Sequence, residues 1–187
     1  MSSHTVINDV SKLLRALLQQ GLGVNDVVLV NPGDQGSQTT LSLWLYQITP
    51  NEHLRNVSNV RIQNQEFDRL TPLPLDLCYL LTPLKQNEED NQITMGRALQ
   101  VIYDNSILTL NAGNNIVGFN VEELHLSICQ RSIEELAKVW EALQKPYRLS
   151  ICIEVRVVRI DSERSLNVGR IEGRETRFEE LPAEVPV

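Results

Sequence analysis

Catalytic equipment is what this 187-residue sequence has least of. It holds three histidines, and a hydrolytic triad needs a base, usually histidine, beside a nucleophile. His4 lies near the N-terminus, His53 in a polar stretch beside Asn51 and Arg55, and His125 between Leu124 and Leu126. None is flanked by a nucleophile motif such as GxSxG. Metal sites need clustered His, Cys, Asp or Glu, and no HxH, HExxH or EF-hand loop occurs. Three cysteines, Cys78, Cys129 and Cys152, are widely spaced and form no CxxC pair, which excludes a zinc knuckle or thioredoxin-type site. Each lies in an apolar, strand-like run and reads as a buried free thiol of a reducing compartment. The glycine-rich segment from Pro32 to Gln38 has no GK[ST] ending and opens no helix, so it is no phosphate loop.

Basic residues are also in the minority. Seventeen Lys and Arg against twenty-four Asp and Glu give a formal net charge of −7 and a pI of about 5.0. Nucleic acid is disfavoured as a partner, because clustered cations are needed to displace counterions from phosphates. Docking on anionic lipid is disfavoured for the same reason. No apolar run reaches the roughly 18 residues that would span a bilayer, and no signal peptide is visible, so synthesis in the cytosol is expected. Aromatics are only 5% of the chain, which leaves Leu, Ile and Val to build the core. Asn56-Val57-Ser58 matches a glycosylation sequon without a secretory signal, and Ile171-Glu172-Gly173-Arg174 matches a protease-recognition tetrapeptide; both are chance matches by this reading.

What remains is the material of one globular domain, 42% hydrophobic and 22% charged. From about Thr5 to Gln20, Val6, Val10, Leu13, Leu14, Leu17 and Leu18 recur at helical spacing, with Gly21 and Gly23 as the stop. Val24–Val30 reads as a short strand. Leu41–Ile48 alternates, with Leu41, Leu43 and Leu45 on one side and Ser42, Trp44, Tyr46 and Ile48 on the other. Both sides are substantially apolar, as in a strand covered on both faces. The polar segment from Asn51 to Arg69 is an excursion from the sheet, in which Val60, Ile62 and Gln65 hint at a short, exposed strand. Leu73–Thr82 alternates again, with Pro72 and Pro74 holding its start at an edge. A charged loop, Lys85–Gln92, leads to a helix capped by Thr94 and carrying Met95, Ala98, Leu99 and Ile102. The Asn-rich stretch after it has a short apolar element at Ile107–Leu110.

Val121–Gln130 alternates with Leu124, Leu126 and Ile128 inward. Ser132-Ile133-Glu134-Glu135 is a capping box that opens a helix carrying Leu136, Val139, Trp140 and Leu143. Arg148–Ile160 is the strongest strand. Leu149, Ile151, Ile153, Val155 and Val157 line one face, and Ser150, Cys152, Glu154 and Arg156 line the other. The fold expected is α/β (α+β): a mixed, mostly antiparallel sheet flanked by helices, over residues 1–162. Residues 163–187 form a charged C-terminal tail with Arg170, Glu172, Arg174, Glu175 and Arg177, charges that pair across an interface or stay solvated.

Several motifs in series carry a family resemblance. Leu43-Trp44-Leu45-Tyr46-Gln47-Ile48-Thr49-Pro50-Asn51 runs into Leu54-Arg55-Asn56. Pro72 to Thr82, then Met95-Gly96-Arg97-Ala98-Leu99-Gln100, then Trp140-Glu141-Ala142-Leu143 with Tyr147-Arg148-Leu149-Ser150, and last Val158 to Ser162 follow in order. Over residues 4–162 this resembles the cap, or tail-terminator, proteins of extracellular contractile injection systems, which are phage-tail-like particles. The resemblance implies a phage tail-terminator-like fold and a homohexameric ring on the inner tube and outer sheath that stops their growth. It implies no catalytic residue, cofactor or metal, and a place in a particle that can be released from the cell. A ring closed head to tail needs contact surface on two sides of each subunit. The candidate subunit-contact residues are Trp44, Tyr46, Ile48, Arg55, Glu154, Arg156, Arg170 and Arg174. The face of Trp44 and Tyr46 is covered by the chain's own helices, by the excursion, or by a neighbour. The competing reading is a soluble, non-enzymatic adaptor domain that binds a protein partner without forming a ring.

Overall fold

A computed structural model describes residues 4–33, 39–54, 67–69, 72–111, 121–162 and 165–167. Helix α1 (Val6–Leu22) buries Val6, Val10, Leu14, Leu18 and Leu22, a ridge of every fourth residue. Gly23, in the left-handed conformation at φ 66°, ends it. Gly21 is not part of the stop. It lies inside the helix, where a Cβ would collide with both γ carbons of Val101, so its role is close packing of two helices.

Strand β1 is shorter than expected, only Val27–Val28, and runs parallel to the start of β2 (Leu41–Pro50). β3 (Phe67–Arg69) lies within the excursion; Val60, Ile62 and Gln65, the residues that hint at a strand there, fall outside the described residues. β4 (Leu73–Pro83) is followed by α2 (Glu88–Asp104). That helix starts six residues before Thr94. Asn87 caps it by accepting from Glu89 N, and Glu88, Glu89 and Asp90 fill its first turn, where the helix dipole favours carboxylates. Thr94 is buried within it. Asn91 reaches back to both the N–H and the carbonyl of Lys85, at 2.9 and 3.2 Å, so the expected charged loop is largely helix.

The chain continues through β5 (Ile107–Asn111), β6 (Val121–Cys129), α3 (Ile133–Ala142), β7 (Ile151–Ile160) and β8 (Ser165–Asn167). The α3 capping box forms as expected: Ser132 Oγ accepts from Glu135 N, and the Glu135 carboxylate accepts from Ser132 N. Trp140 is buried and donates its indole N–H to Ser150 Oγ at 3.1 Å.

Six strands form one sheet in the order β1-β2-β4-β7-β6-β5, antiparallel throughout except for β1 with β2. This is the mixed, mostly antiparallel sheet expected from the sequence. A separate ladder pairs β3 with β8, bringing the excursion together with the start of the charged tail. β4 sits centrally, and its residues from Leu77 to Pro83 are all buried. Pro74 is therefore inside the ladder and not at an edge, opposite Arg159 of β7. Its carbonyl points to the β2 side, where it accepts from Asn51 N at 3.0 Å. Its N side shares that direction, so no bond to β7 is lost.

One face of the sheet carries Leu41, Leu43, Leu75, Leu77, Tyr79, Leu81, Leu124, Leu126, Ile153, Val155 and Val158 against the ridges of α1 and α2. Two bulges shape this face. On β7, two residues stand against Asp76 of β4, and Val158 follows Val155 into the core; the side chain of Val157, expected on that face, lies outside what the structure describes. Ile128 stands on this face opposite Ile153, as expected, but is 45% exposed where Leu124 is buried.

Candidate functional site

The sheet face turned away from α1 and α2 is organised in rows that run across four strands. Trp44, Leu80, Cys152 and Cys129 form the first row, on β2, β4, β7 and β6. Gln47, Cys78, Glu154 and Ser127 form the next. The third brings Thr49 and Asp76 to the level of Arg156 and His125. The face thus grades from apolar, through polar, to charged along the strand direction.

Trp44 and Tyr46 are half-buried, with ring centroids 6.1 Å apart and planes tilted by 44°. Tyr46 is the extra residue of the β2 bulge, between Leu45 opposite Tyr79 and Gln47 opposite Cys78. Its hydroxyl lies 3.0 Å from Cys152 Sγ. The bulge reverses the alternation beyond it. Ile48 faces Leu77 on the helix side, 44% exposed, and does not share a face with Trp44 and Tyr46 as the sequence pattern suggests. Arg156 Nε donates to Glu154 Oε2 at 2.6 Å, with the Arg156 side chain outward and the Glu154 side chain largely covered. Of the expected contact residues, the structure brings together Trp44, Tyr46, Glu154 and Arg156. Arg55, Arg170 and Arg174 lie outside the described residues.

Sequence reasoning places Cys152 on this face with Glu154 and Arg156 but misses three further members, Cys78, Cys129 and Arg131. Cys78, Cys129 and Cys152, all free, come together with Arg131. A hydrogen bond from Cys129 draws the Cys152 thiol below its ordinary range, helped by Tyr46 and Arg131 against the opposing effect of burial. The same bond, with burial, pushes Cys129 up, and burial first of all raises Cys78 and Tyr46. The available signal was that all three cysteines sit on the non-core side of alternating strands. Register alone decides that they meet.

Among the described residues no group of three or more His, Cys, Asp or Glu is placed so that it could hold a metal ion. His125 is exposed opposite Arg156. A cavity of about 220 Å3 between α1 and β2 is lined by Asn8, Ser11, Leu29, Leu43, Trp44, Leu45 and Tyr79. The Ser11 and Tyr79 hydroxyls in its wall already bond each other. Among the described residues no helix is long and apolar enough to cross a membrane.

The family model for the Pvc16 N-terminal domain matches residues 9–172. The chain belongs to the Pvc16 N-terminal domain family. Its fold is similar to that of the "PVC sheath/tube terminator in extended state" of an extracellular contractile injection system, with a TM-score of 0.70 at 19% identity. That match covers 100% of this chain and 67% of the other. It is similar also to the anti-feeding prophage cap, a "tube terminating cap", with a TM-score of 0.60 at 21% identity over 95% of this chain and 62% of the other. The chain therefore spans about two thirds of the length of these solved structures. No curated protein matches it in sequence. The family resemblance read from the motifs is the one that the model match shows, and the terminator-like fold follows from both solved structures.

Proposed function

We propose that this Pvc16-type domain is a structural cap subunit that closes the end of the tube and sheath of a contractile injection particle. The observation that carries this reading is the likeness, over the whole of this chain, to a sheath/tube terminator. Six copies join head to tail into a ring, which ends growth of the tail and steadies the sheath. The role is non-enzymatic, and the particle carries the subunit out of the cell in which it was made.

The geometry supports such a ring in two ways. A head-to-tail interface needs two unlike surfaces on each subunit. The sheet ends in two unlike edges: β5 on one side, and on the other β2, which β1 covers only at Leu41 and Ser42 among the described residues. The face bearing Trp44, Tyr46, Glu154 and Arg156 offers an aromatic anchor beside a charged rim, the arrangement that protein interfaces use. Arg55, Arg170 and Arg174 extend this contact set. Light scattering at several concentrations, with negative-stain imaging, tests the reading. A mass of six subunits and a ring are expected, alone or on purified tube ends. A monomer that binds neither tube nor sheath would replace the cap by a simple adaptor.

A further inference from the structure

We propose that Cys129 and Cys152 are an oxidisable dithiol, which hydrogen peroxide converts into a disulfide joining β6 to β7 across the base of α3. The two residues are direct partners in the antiparallel ladder. Paired residues of neighbouring antiparallel strands have Cα atoms roughly 4.5–5.5 Å apart. That separation lies inside the span a disulfide bridges, about 4.4–6.8 Å. Both thiols are free, and as direct ladder partners their side chains leave the sheet on the same face. Cys78, the third thiol of the cluster, stands opposite Glu154 and not opposite a cysteine.

The surroundings divide the roles of the pair. Cys152 is fully buried, with the Tyr46 hydroxyl 3.0 Å from its sulfur and the Arg131 guanidinium beside it. Both groups stabilise a thiolate, which is the reactive form of cysteine. Cys129 is only half-buried and gives a small oxidant its way in. In the first step the Cys152 thiolate attacks one peroxide oxygen. The O–O bond breaks, hydroxide leaves and takes a proton to become water, and Cys152 becomes a sulfenic acid. The Cys129 sulfur then attacks the Cys152 sulfur. The S–O bond breaks, the hydroxyl leaves with the Cys129 proton as a second water, and the S–S bond forms. Two thiols and one peroxide thus yield one disulfide and two waters. The closed loop runs from the end of β6 through α3 to the start of β7, so oxidation restrains the unfolded chain there. This chemistry belongs to the single chain and does not depend on ring formation.

The test uses the full reduced chain, treated with hydrogen peroxide under native conditions, alkylated, and mapped by mass spectrometry without reductant. One intramolecular disulfide, Cys129–Cys152, is expected, with Cys78 alkylated. The melting temperature rises and a dithiol reductant reverses it. In Cys129→Ser no disulfide forms and dimedone labels Cys152; in Cys78→Ser the disulfide forms as before. Tyr46→Phe slows disulfide formation severalfold without changing the pairing. Three alkylated thiols after peroxide, a disulfide that includes Cys78, or only intermolecular disulfides would overturn the proposal.

Discussion

Tyr79 is fully buried in the helix-side core, yet its hydroxyl is satisfied: it lies 2.8 Å from Ser11 Oγ, which itself donates to Ile7 O. Burial pushes the phenol up to about 12, so it stays neutral and supplies a proton to Ser11 at any physiological pH. The two ends of this bond are not equivalent. Ser11→Ala strands a buried hydroxyl and is expected to cost about 1–3 kcal/mol, read by urea denaturation. Tyr79→Phe removes the stranded group along with the bond, leaves Ser11 with Ile7, and is expected to cost less. The reverse order would show that the Tyr79 hydroxyl contributes more than its bond to Ser11. Neither partner was legible in the sequence, since 68 residues separate them and a lone serine in an apolar helix stripe looks incidental.

At the scale of the element, helix positions were readable and helix ends less so. The α1 stripe is visible in the sequence because a period of 3.6 survives without any partner. The purpose of Gly21 is not, because it depends on Val101 of another helix. Gly21→Ala gains helix propensity of about 1 kcal/mol but forces a β-branched side chain to move. Overpacking of this kind costs about 1–3 kcal/mol, so a net loss of thermal stability is expected. The α3 cap carries a pH signature. The Glu135 carboxyl is held below its ordinary value, first by its backbone bond at Ser132 and then by Arg131. A depressed folded value means that its contribution is complete above the unfolded carboxylate range and is lost as pH falls through the folded value. The difference in melting temperature between the wild type and Glu135→Gln should therefore be largest near neutral pH and vanish in acid. A difference that does not depend on pH would show that the charge of Glu135 plays no part in the cap.

At the scale of the molecule, the sheet leaves one face without α1 or α2, and the aromatic pair Trp44 and Tyr46 stands on it. If that face meets a neighbouring subunit, Trp44→Ala should weaken ring assembly by about 2 kcal/mol, or roughly thirtyfold in concentration, because buried aromatic anchors dominate interfaces. Sedimentation of variant and wild type at matched concentrations measures this, and circular dichroism checks that the fold is kept. Unchanged assembly with an intact fold would remove Trp44 from the interface. The strand set was legible from alternation, but its order was not: β4 lies between β2 and β7, strands distant from each other in the chain.

Periodicity, capping residues and composition are local properties, and from them the sequence by itself determined the α+β class, the ridge of α1, the α3 capping box, the acidic charge and the family motifs. Register is a property of pairs of strands. One extra residue on β2 and one on β7 were enough to send Ile48 to the helix side and Val158 into the core, because the side chains of a strand alternate with a period of two. The tertiary structure alone decided those reversals, the meeting of the three cysteines and the pairing of β3 with β8, since each depends on which strands lie side by side.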